Sequence, residues 1–378
     1  DTISTENPYT TAVTAEMSLV ANFEALTPTI VLTVDKVDQE WQFNINANAD
    51  DSKEIKVDWG NGALVDYTIE NYNTSSVYPY HTTITGTPVG EGVVKIYAGE
   101  GNLYKFDCSY AESYGVKVTS LDLSGVNYLK ELNVSSNSLT TLDVSQVTGM
   151  NKVVCQGNPI TSLVINTSLT RIEANDCALT SIDFTGATAI TYLAVNNNPM
   201  NTLDLSALTA LKSLYANNTG LTSIDLSLNT KLRDVYVNEN QLTTLDVSKV
   251  VSGAYVYAKD NNLTEIVGLE ALTAGSRLHI TGNNFTLATL PAATILTTEG
   301  ESGKYCYAPQ KPLAIAAEIN EGEELDLSAQ NNIVGRATEA QATVYTWYTA
   351  DGTKADPATI MQETNDLYFY SKWTVKSY

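Results

Sequence analysis

Apolar and polar residues alternate in short runs between residues 119 and 291, and the runs recur along this whole stretch. In one unit, Leu132 and Val134 flank a polar residue, and Leu142 and Val144 repeat this arrangement. An alternation with a period of two is that of a β-strand with one buried face, whereas a helix needs about ten residues with a period near 3.6. Each unit is therefore predicted to contain two short strands joined by turns.

The spacing of these units is almost constant. The apolar position of the second strand recurs every 21 residues, with one step of 19 residues between Leu163 and Ile182. The positions are Leu121, Leu142, Leu163, Ile182, Leu203, Ile224, Leu245 and Ile266. A fixed period predicts a solenoid whose coils rise by about 4.8 Å, the spacing of adjacent strands. Its two strands per coil would form parallel sheets on two faces.

A polar residue stands between the two strands of every unit. These residues are Asn137, Asn158, Cys177, Asn198, Thr219, Asn240, Asn261 and Asn283. A buried turn leaves backbone groups without partners in a sheet, and an amide side chain can bond them in its own and in adjacent coils. We expect a buried ladder of structural asparagines.

The repeated phrase Leu-x-x-Leu-x-Val-x-x-Asn, followed by Leu-x-x-Leu-Asp-Leu, resembles bacterial leucine-rich repeat proteins of the short, doubly stranded type. The resemblance covers about half of the chain. It implies a leucine-rich repeat solenoid in residues 103–292, and a cell-surface lipoprotein of the kind found in gut bacteria. Members of this group generally serve in binding, so the resemblance implies a binding function.

The flanking segments are also predicted to be rich in β-strands, which makes the whole chain mainly β. Residues 28–102 contain short β-rich runs between Gly- and Asp-rich turns, the pattern of a β-sandwich. Within them, Val57–Gly62 resembles a turn of PKD-like domains. Residues 293–378 form the second flanking segment, in which Tyr345–Tyr348 resembles the central strand of immunoglobulin-like domains, with Trp347 as the core residue.

The composition argues against some classes of partner, and the N-terminal segment indicates a location. The net charge of −22, from 43 acidic and 21 basic residues, argues against nucleic acid or an anionic membrane as a partner. The sequence contains no run of 18 apolar residues and therefore predicts no membrane-spanning helix. Residues 1–27 begin with a polar, Thr-rich stretch and read as a tether left after removal of a signal. With the resemblance, this predicts a secreted or outer-surface protein whose membrane contact is a lipid-anchored N-terminus.

Catalytic chemistry lacks its usual residues. The two histidines, His81 and His279, fall in different predicted domains, and no phosphate-binding Gly-rich loop is present. We therefore expect no catalytic residue, no metal site and no cofactor. Cys155 and Cys177 are predicted to be core residues that do not face each other, and no disulfide is expected.

One row of carboxylates follows the second strand, at Asp122, Asp143, Asp183, Asp204, Asp225 and Asp246. Stacked like charges can bind a divalent cation weakly. They can also accept hydrogen bonds from neighbouring hydroxyls such as those of Ser181 and Thr202, which is the interpretation we favour.

An aromatic row occupies the outward position of the first strand in successive coils. Tyr215, Tyr236, Tyr257 and His279 stand in register, and Tyr192 and Tyr255 lie on the adjacent row. Beside them runs a polar row of Asn175, Asn196, Asn217, Asn238 and Lys259. Exposed Tyr with amides is typical of recognition surfaces, although stacked aromatics can equally stiffen a sheet.

This row leads to three hypotheses of function. The first is recognition of a protein ligand, the second is glycan binding with sugar rings on the tyrosines, and the third is a passive spacer. The candidate ligand-binding residues are Tyr192, Tyr215, Tyr236, Tyr257, His279, Asn196, Asn217 and Asn238.

Overall fold

The computed structural model describes residues 26–47, 54–69, 81–99, 103–126, 128–273, 275–286, 289, 291, 305–306, 310–311, 332–333 and 341–342. These residues are mainly β, as predicted, with a single 3-10 turn at Leu269–Ala271 among the described elements. None of the helical structure described combines the length and apolar character that a bilayer-spanning helix requires.

The strands fall into two groups along the chain. The first group is β1 Ile30–Val34, β2 Trp41–Ala47, β3 Glu54–Asp58, β4 Leu64–Thr68, β5 Thr82–Gly86 and β6 Val93–Ala98. The second is β7 Leu103–Asp107, β8 Val118–Asp122, β9 Glu131–Asn133, β10 Thr141–Asp143, β11 Lys152–Val154, β12 Ser162–Val164, β13 Arg171–Glu173, β14 Tyr192–Ala194, β15 Ser213–Tyr215, β16 Asp234–Tyr236, β17 Thr244–Asp246, β18 Tyr255–Tyr257, β19 Glu265–Val267 and β20 Arg277–His279. Three strands of two residues each follow, at β21 Tyr305–Cys306, β22 Asn332–Ile333 and β23 Gln341–Ala342.

The first strand of each coil joins one continuous parallel sheet, in the order β9-β11-β13-β14-β15-β16-β18-β20. The pairing keeps equivalent residues opposite each other, so Leu214 lies beside Val235 and Val235 beside Val256. These central residues are fully buried. The period of the sequence thus sets both the inward face and the register, and the predicted solenoid of parallel strands is confirmed.

The second face also carries parallel strands, as predicted, but they form only two short ladders among the described residues. β10 pairs with β12, and β17 pairs with β19. In the first ladder Asp143 lies opposite Val164, and in the second Asp246 lies opposite Val267.

A left-handed residue turns the chain after the first strand of each coil. It is Ser136, Gly157, Asp176, Asn197, Asn218, Glu239, Asp260 or Gly282, with φ between 51° and 70°. Gly, Asn and Asp tolerate this conformation best, which explains their frequency at this position.

The buried asparagine ladder is confirmed. Asn198 donates to the carbonyls of Ala174 and Val195 and accepts from the amide of Leu179. It therefore bonds its own coil and the preceding one. Its counterparts Asn137, Asn158, Asn240, Asn261 and Asn283 repeat the pattern.

One expectation about the placement of the cysteines is wrong. Cys177 and Cys155 contact each other, because Cys177 takes the place of an asparagine that reaches toward the preceding coil. Their hydrogen bond raises the pKa of the buried Cys155 thiol and lowers the pKa of Cys177.

The N-terminal strands continue both faces of the solenoid. β1 pairs antiparallel with β8, and β2 pairs antiparallel with β7, which in turn pairs with β9. The N-terminal strands therefore cover the first coil of the solenoid. Behind it, Trp41, Phe43, Trp59 and Phe106 form one aromatic cluster.

The turn after β3 is held by Asp58, whose carboxylate accepts from the amides of Gly60 and Gly62.

At the other end of the solenoid, β21 pairs with β20, and the backbone amide of Lys311 donates to the carbonyl of Asn283. Most of the predicted segment 293–378, including Trp347, and nearly all of 1–27 lie outside the described residues. The division into domains and their PKD-like and immunoglobulin-like character stay predictions.

Candidate binding face

The sheet places the predicted aromatic row on its outer side. Tyr215, Tyr236, Tyr257 and His279 are each the last residue of their strand, next to a buried residue that points inward. The strand pairing brings Tyr215 opposite Tyr236, and Tyr236 opposite Tyr257. We call the outward side of this sheet, from Arg171 to His279, the Tyr face.

The rings of this row are stacked on one another. The ring centroids of Tyr215 and Tyr236 are 4.7 Å apart with planes at 13°, and those of Tyr236 and Tyr257 are 4.5 Å apart with planes at 4°. His279 follows at 4.4 Å from Tyr257. Parallel rings this close must overlap face to face, because rings lying side by side would collide. The ring faces are therefore turned toward neighbouring coils, and their edges are turned toward solvent.

Tyr192 extends this stack from the adjacent row. In the coil of Tyr192, the small and buried Ala194 occupies the position that Tyr215 takes in the next coil. This leaves space on the outer side of Ala194. The Tyr192 ring fills that room and lies 5.2 Å from the Tyr215 centroid. All five predicted aromatic site residues are thus brought together in one continuous stack.

Three arginines that the sequence analysis did not select lie at the end of the stack and beside it. Arg171 lies over Tyr192 at 3.5 Å from the ring centroid and makes an ion pair with Glu173 at 2.7 Å. Farther along, Arg233 and Arg277 lie 5.2 Å and 5.1 Å from the centroid of Tyr255. The sequence could have predicted two of these contacts, because Arg171 and Arg277 occupy the same strand position as Tyr192 and Tyr255.

The predicted asparagines are also adjacent to the stack, but their amides are already engaged. The side-chain oxygen of Asn196 accepts both the backbone and the side-chain N–H of Asn217, at 2.8 Å each. Asn175 does the same for Asn196, and the oxygen of Asn217 accepts the amide of Asn238. This row is a second ladder that stiffens the sheet, and its oxygens bond the next coil.

Partial burial changes the acidity of the stacked phenols. Desolvation raises the pKa of Tyr192 and Tyr215, and it raises the pKa of Tyr236 to about 12, with the neighbouring Tyr257 and Tyr215 adding to the effect. The phenols are therefore neutral hydrogen-bond donors at neutral pH.

The carboxylates on the opposite face accept hydrogen bonds from nearby groups, which is the interpretation favoured from the sequence. The donors, however, are not the expected ones. Asp204 accepts from the backbone amide of Ser206, two residues later, and not from the preceding hydroxyl of Thr202. The same turn recurs at Asp122, Asp143, Asp183, Asp225 and Asp246. A short acidic side chain at the start of a turn readily accepts from the backbone amide two residues on. The described residues include no group of three or more metal-binding side chains.

Comparison with solved structures finds leucine-rich repeat proteins. The functional domain of InlJ from Listeria monocytogenes has 25% identity and a TM-score of 0.44, over 50% of this chain and 41% of that one. The LRIM1/APL1C complex has 16% identity and a TM-score of 0.32, over 49% of this chain and 50% of that one. The TLR13–ssRNA13 complex has 17% identity and a TM-score of 0.29, over 43% and 28%. This chain spans half or less of each of these structures. No protein-family model and no curated protein matches the sequence.

Proposed function

We propose that this protein is a non-catalytic binding protein that recognises a protein ligand through the Tyr face. The five-ring stack carries the proposal. Tyr and Arg are the residue types that most often dominate protein interfaces. Here they lie together on an outward sheet surface, with Tyr236 and its neighbours only half-buried.

The stack also makes recognition and stiffening compatible. A ring held between two others loses little further freedom when a ligand binds, and rigid side chains lower the entropic cost of association. The asparagine ladder beside it restrains the same strands. Contacts that stiffen the sheet therefore preorganise the binding surface.

A glycan ligand is less compatible with this geometry. Sugars and nucleobases bind aromatic side chains by lying on an open ring face. The faces of Tyr215, Tyr236 and Tyr257 are covered by neighbouring rings at 4.4–4.7 Å. What they offer is ring edges and phenol hydroxyls, which suit the mixed polar and apolar surface of a protein.

We place this protein outside the cell or at its outer surface, with the N-terminal segment as a lipid-anchored tether. The leucine-rich repeat resemblance supports this location. An acidic net charge of −22 keeps such a protein away from anionic lipid head groups, so the anchor would be its contact with the membrane.

The test compares Tyr236→Ser and Tyr257→Ser with Asp204→Ser on the opposite face. Each Tyr variant loses two ring contacts worth about 0.5–1.5 kcal/mol each, so binding is measured well below its melting temperature. Immobilised wild type and variants are exposed to candidate host proteins and to a glycan array. We expect the Tyr variants, but not Asp204→Ser, to lose a captured protein.

Equal capture by wild type and both Tyr variants would overturn the proposal. Hits on the glycan array that disappear in Tyr236→Ser would replace the protein ligand by a glycan. If the wild type captures neither, the spacer hypothesis stands.

A further inference from the structure

The arginines of this acidic chain are concentrated on one surface. In the described part of the chain, every arginine lies over a tyrosine ring of the Tyr face, namely Arg171 over Tyr192, and Arg233 and Arg277 over Tyr255. A guanidinium over an aromatic face is attracted by the ring and keeps its planar set of N–H donors available at its edge.

The two ends of the Tyr face differ in how these charges are compensated. Arg171 is neutralised by Glu173, which also lies 3.8 Å from Lys152. Within the described residues, Arg233 and Arg277 make no ion pair. They come from the coils before and after that of Tyr255, and their guanidinium groups lie 5.2 Å and 5.1 Å from the centroid of its ring.

The surroundings of this pair carry charges of both signs, and Asp234 lies opposite Tyr255 in the strand pairing. Lys259 and Arg277 are exposed at the same end of the sheet, and Asp234, the acid nearest in sequence, is bonded to Ser213 at 2.7 Å. Two further acids, Glu239 and Asp260, lie in the turns that border the row. The edges of aromatic rings are electropositive, so the edges of the stack add to the attraction for negative groups.

The opposite face has the reverse character. Its outward strand positions and the equivalent positions of the intervening coils carry Asp143, Asp183, Asp204, Asp225, Asp246 and Glu265. The Arg233–Tyr255–Arg277 cluster is therefore a local group of positive charges in a chain of net charge −22.

We propose that this cluster binds carboxylates of an acidic polypeptide segment of the partner, an inference that rests on the proposed function. Guanidinium groups pair bidentately with carboxylates, and Arg233 and Arg277 present two such forks around one ring. A polypeptide fits better than a nucleic acid, because the covered ring faces leave no place for a base to stack.

The probe is short fluorescein-labelled poly-L-glutamate, with an oligothymidylate of equal charge as the comparison. We expect poly-L-glutamate to bind the whole protein in preference to the oligothymidylate, and to bind more weakly as salt is raised. Replacing both arginines in Arg233→Gln/Arg277→Gln is expected to weaken this binding about tenfold or more, since hydrogen bonds to charged groups are among the strongest.

Matched controls separate this site from general charge. Lys231→Gln/Lys249→Gln removes two exposed positive charges outside the cluster and is expected to keep binding near the wild-type value. Arg233→Lys/Arg277→Lys keeps the charge but loses the fork, and an intermediate affinity is expected.

Several results would overturn the inference. These are no binding of poly-L-glutamate at low salt, equal binding of oligothymidylate, equal loss in the Lys231→Gln/Lys249→Gln control, or dimerisation that accounts for the signal. A protein ligand that is lost in Tyr236→Ser but retained in Arg233→Gln/Arg277→Gln would leave the proposed function standing while rejecting this inference.

Discussion

The two faces of the solenoid are built from the same coils, yet only one carries a continuous sheet. On the Tyr face, every coil from β9 to β20 pairs with the next. On the opposite face, the ladders occur where an Asp of one coil lies opposite a Val of the next, at Asp143 with Val164 and at Asp246 with Val267.

Between these ladders the outward position is Asp in successive coils, at 183, 204, 225 and 246. Like charges directly opposite each other on adjacent strands are destabilising. Stacked aromatic rings at the equivalent position of the other face attract one another instead. The difference coincides with the outward residue, which is aromatic along most of the Tyr face and is Asp in the coils at 183, 204 and 225 that lack a ladder.

The largest effect should come from the buried ladder that lies between the two strands of each coil. Asn198→Ala removes hydrogen bonds to Ala174, Val195 and Leu179, and each buried group left unpaired costs about 1–3 kcal/mol. We expect a clear loss in the free energy of unfolding, measured by chemical denaturation. Thr180→Ala, an exposed change in a neighbouring coil, is the control, and an unchanged midpoint in Asn198→Ala would refute the structural role of the ladder.

A smaller effect is expected when the Tyr face is charged by pH. The folded state raises the pKa of Tyr236 from 10.0 to about 12, so its protonated form is favoured by folding. This contribution to stability is complete below pH 10 and is lost as the pH rises toward about 12. The acids of the other face behave in the opposite sense, because hydroxyl and amide donors of Ser206 lower the pKa of Asp204 and its contribution is lost in acid.

The measurement is the difference in unfolding free energy between wild type and Tyr236→Phe across this alkaline range. Phe keeps the ring stack and removes the titrating hydroxyl. We expect the wild type to lose stability relative to Tyr236→Phe above pH 10, and a constant difference between the two would contradict the assignment.

The smallest effect should come from relieving repulsion on the opposite face. Asp225→Asn keeps the acceptor for the amide of Ser227 but removes a negative charge between Asp204 and Asp246. A slight rise in melting temperature is expected at low ionic strength, and it should vanish in high salt because exposed charges are screened. A fall in melting temperature at low salt would argue against repulsion as the cause of the missing ladders.

The periodic pattern was sufficient for the fold and for which residues lie together. The step of 21 residues predicts that Tyr215, Tyr236 and Tyr257 occupy one row, and that Asn198 lies inside while Asn196 lies outside. These conclusions hold because strand alternation and coil spacing depend on the backbone alone, which the repeat determines locally.

Tertiary structure decided how side chains use those positions. Tyr192 joins the stack across the small Ala194, Cys177 reaches Cys155 in the preceding coil, and Arg233 and Arg277 meet at Tyr255 from two different coils. Each contact depends on rotamers and on diagonal neighbours in other coils. A one-dimensional pattern places a residue on a face, whereas the direction of a long side chain on that face follows from the space its neighbours leave.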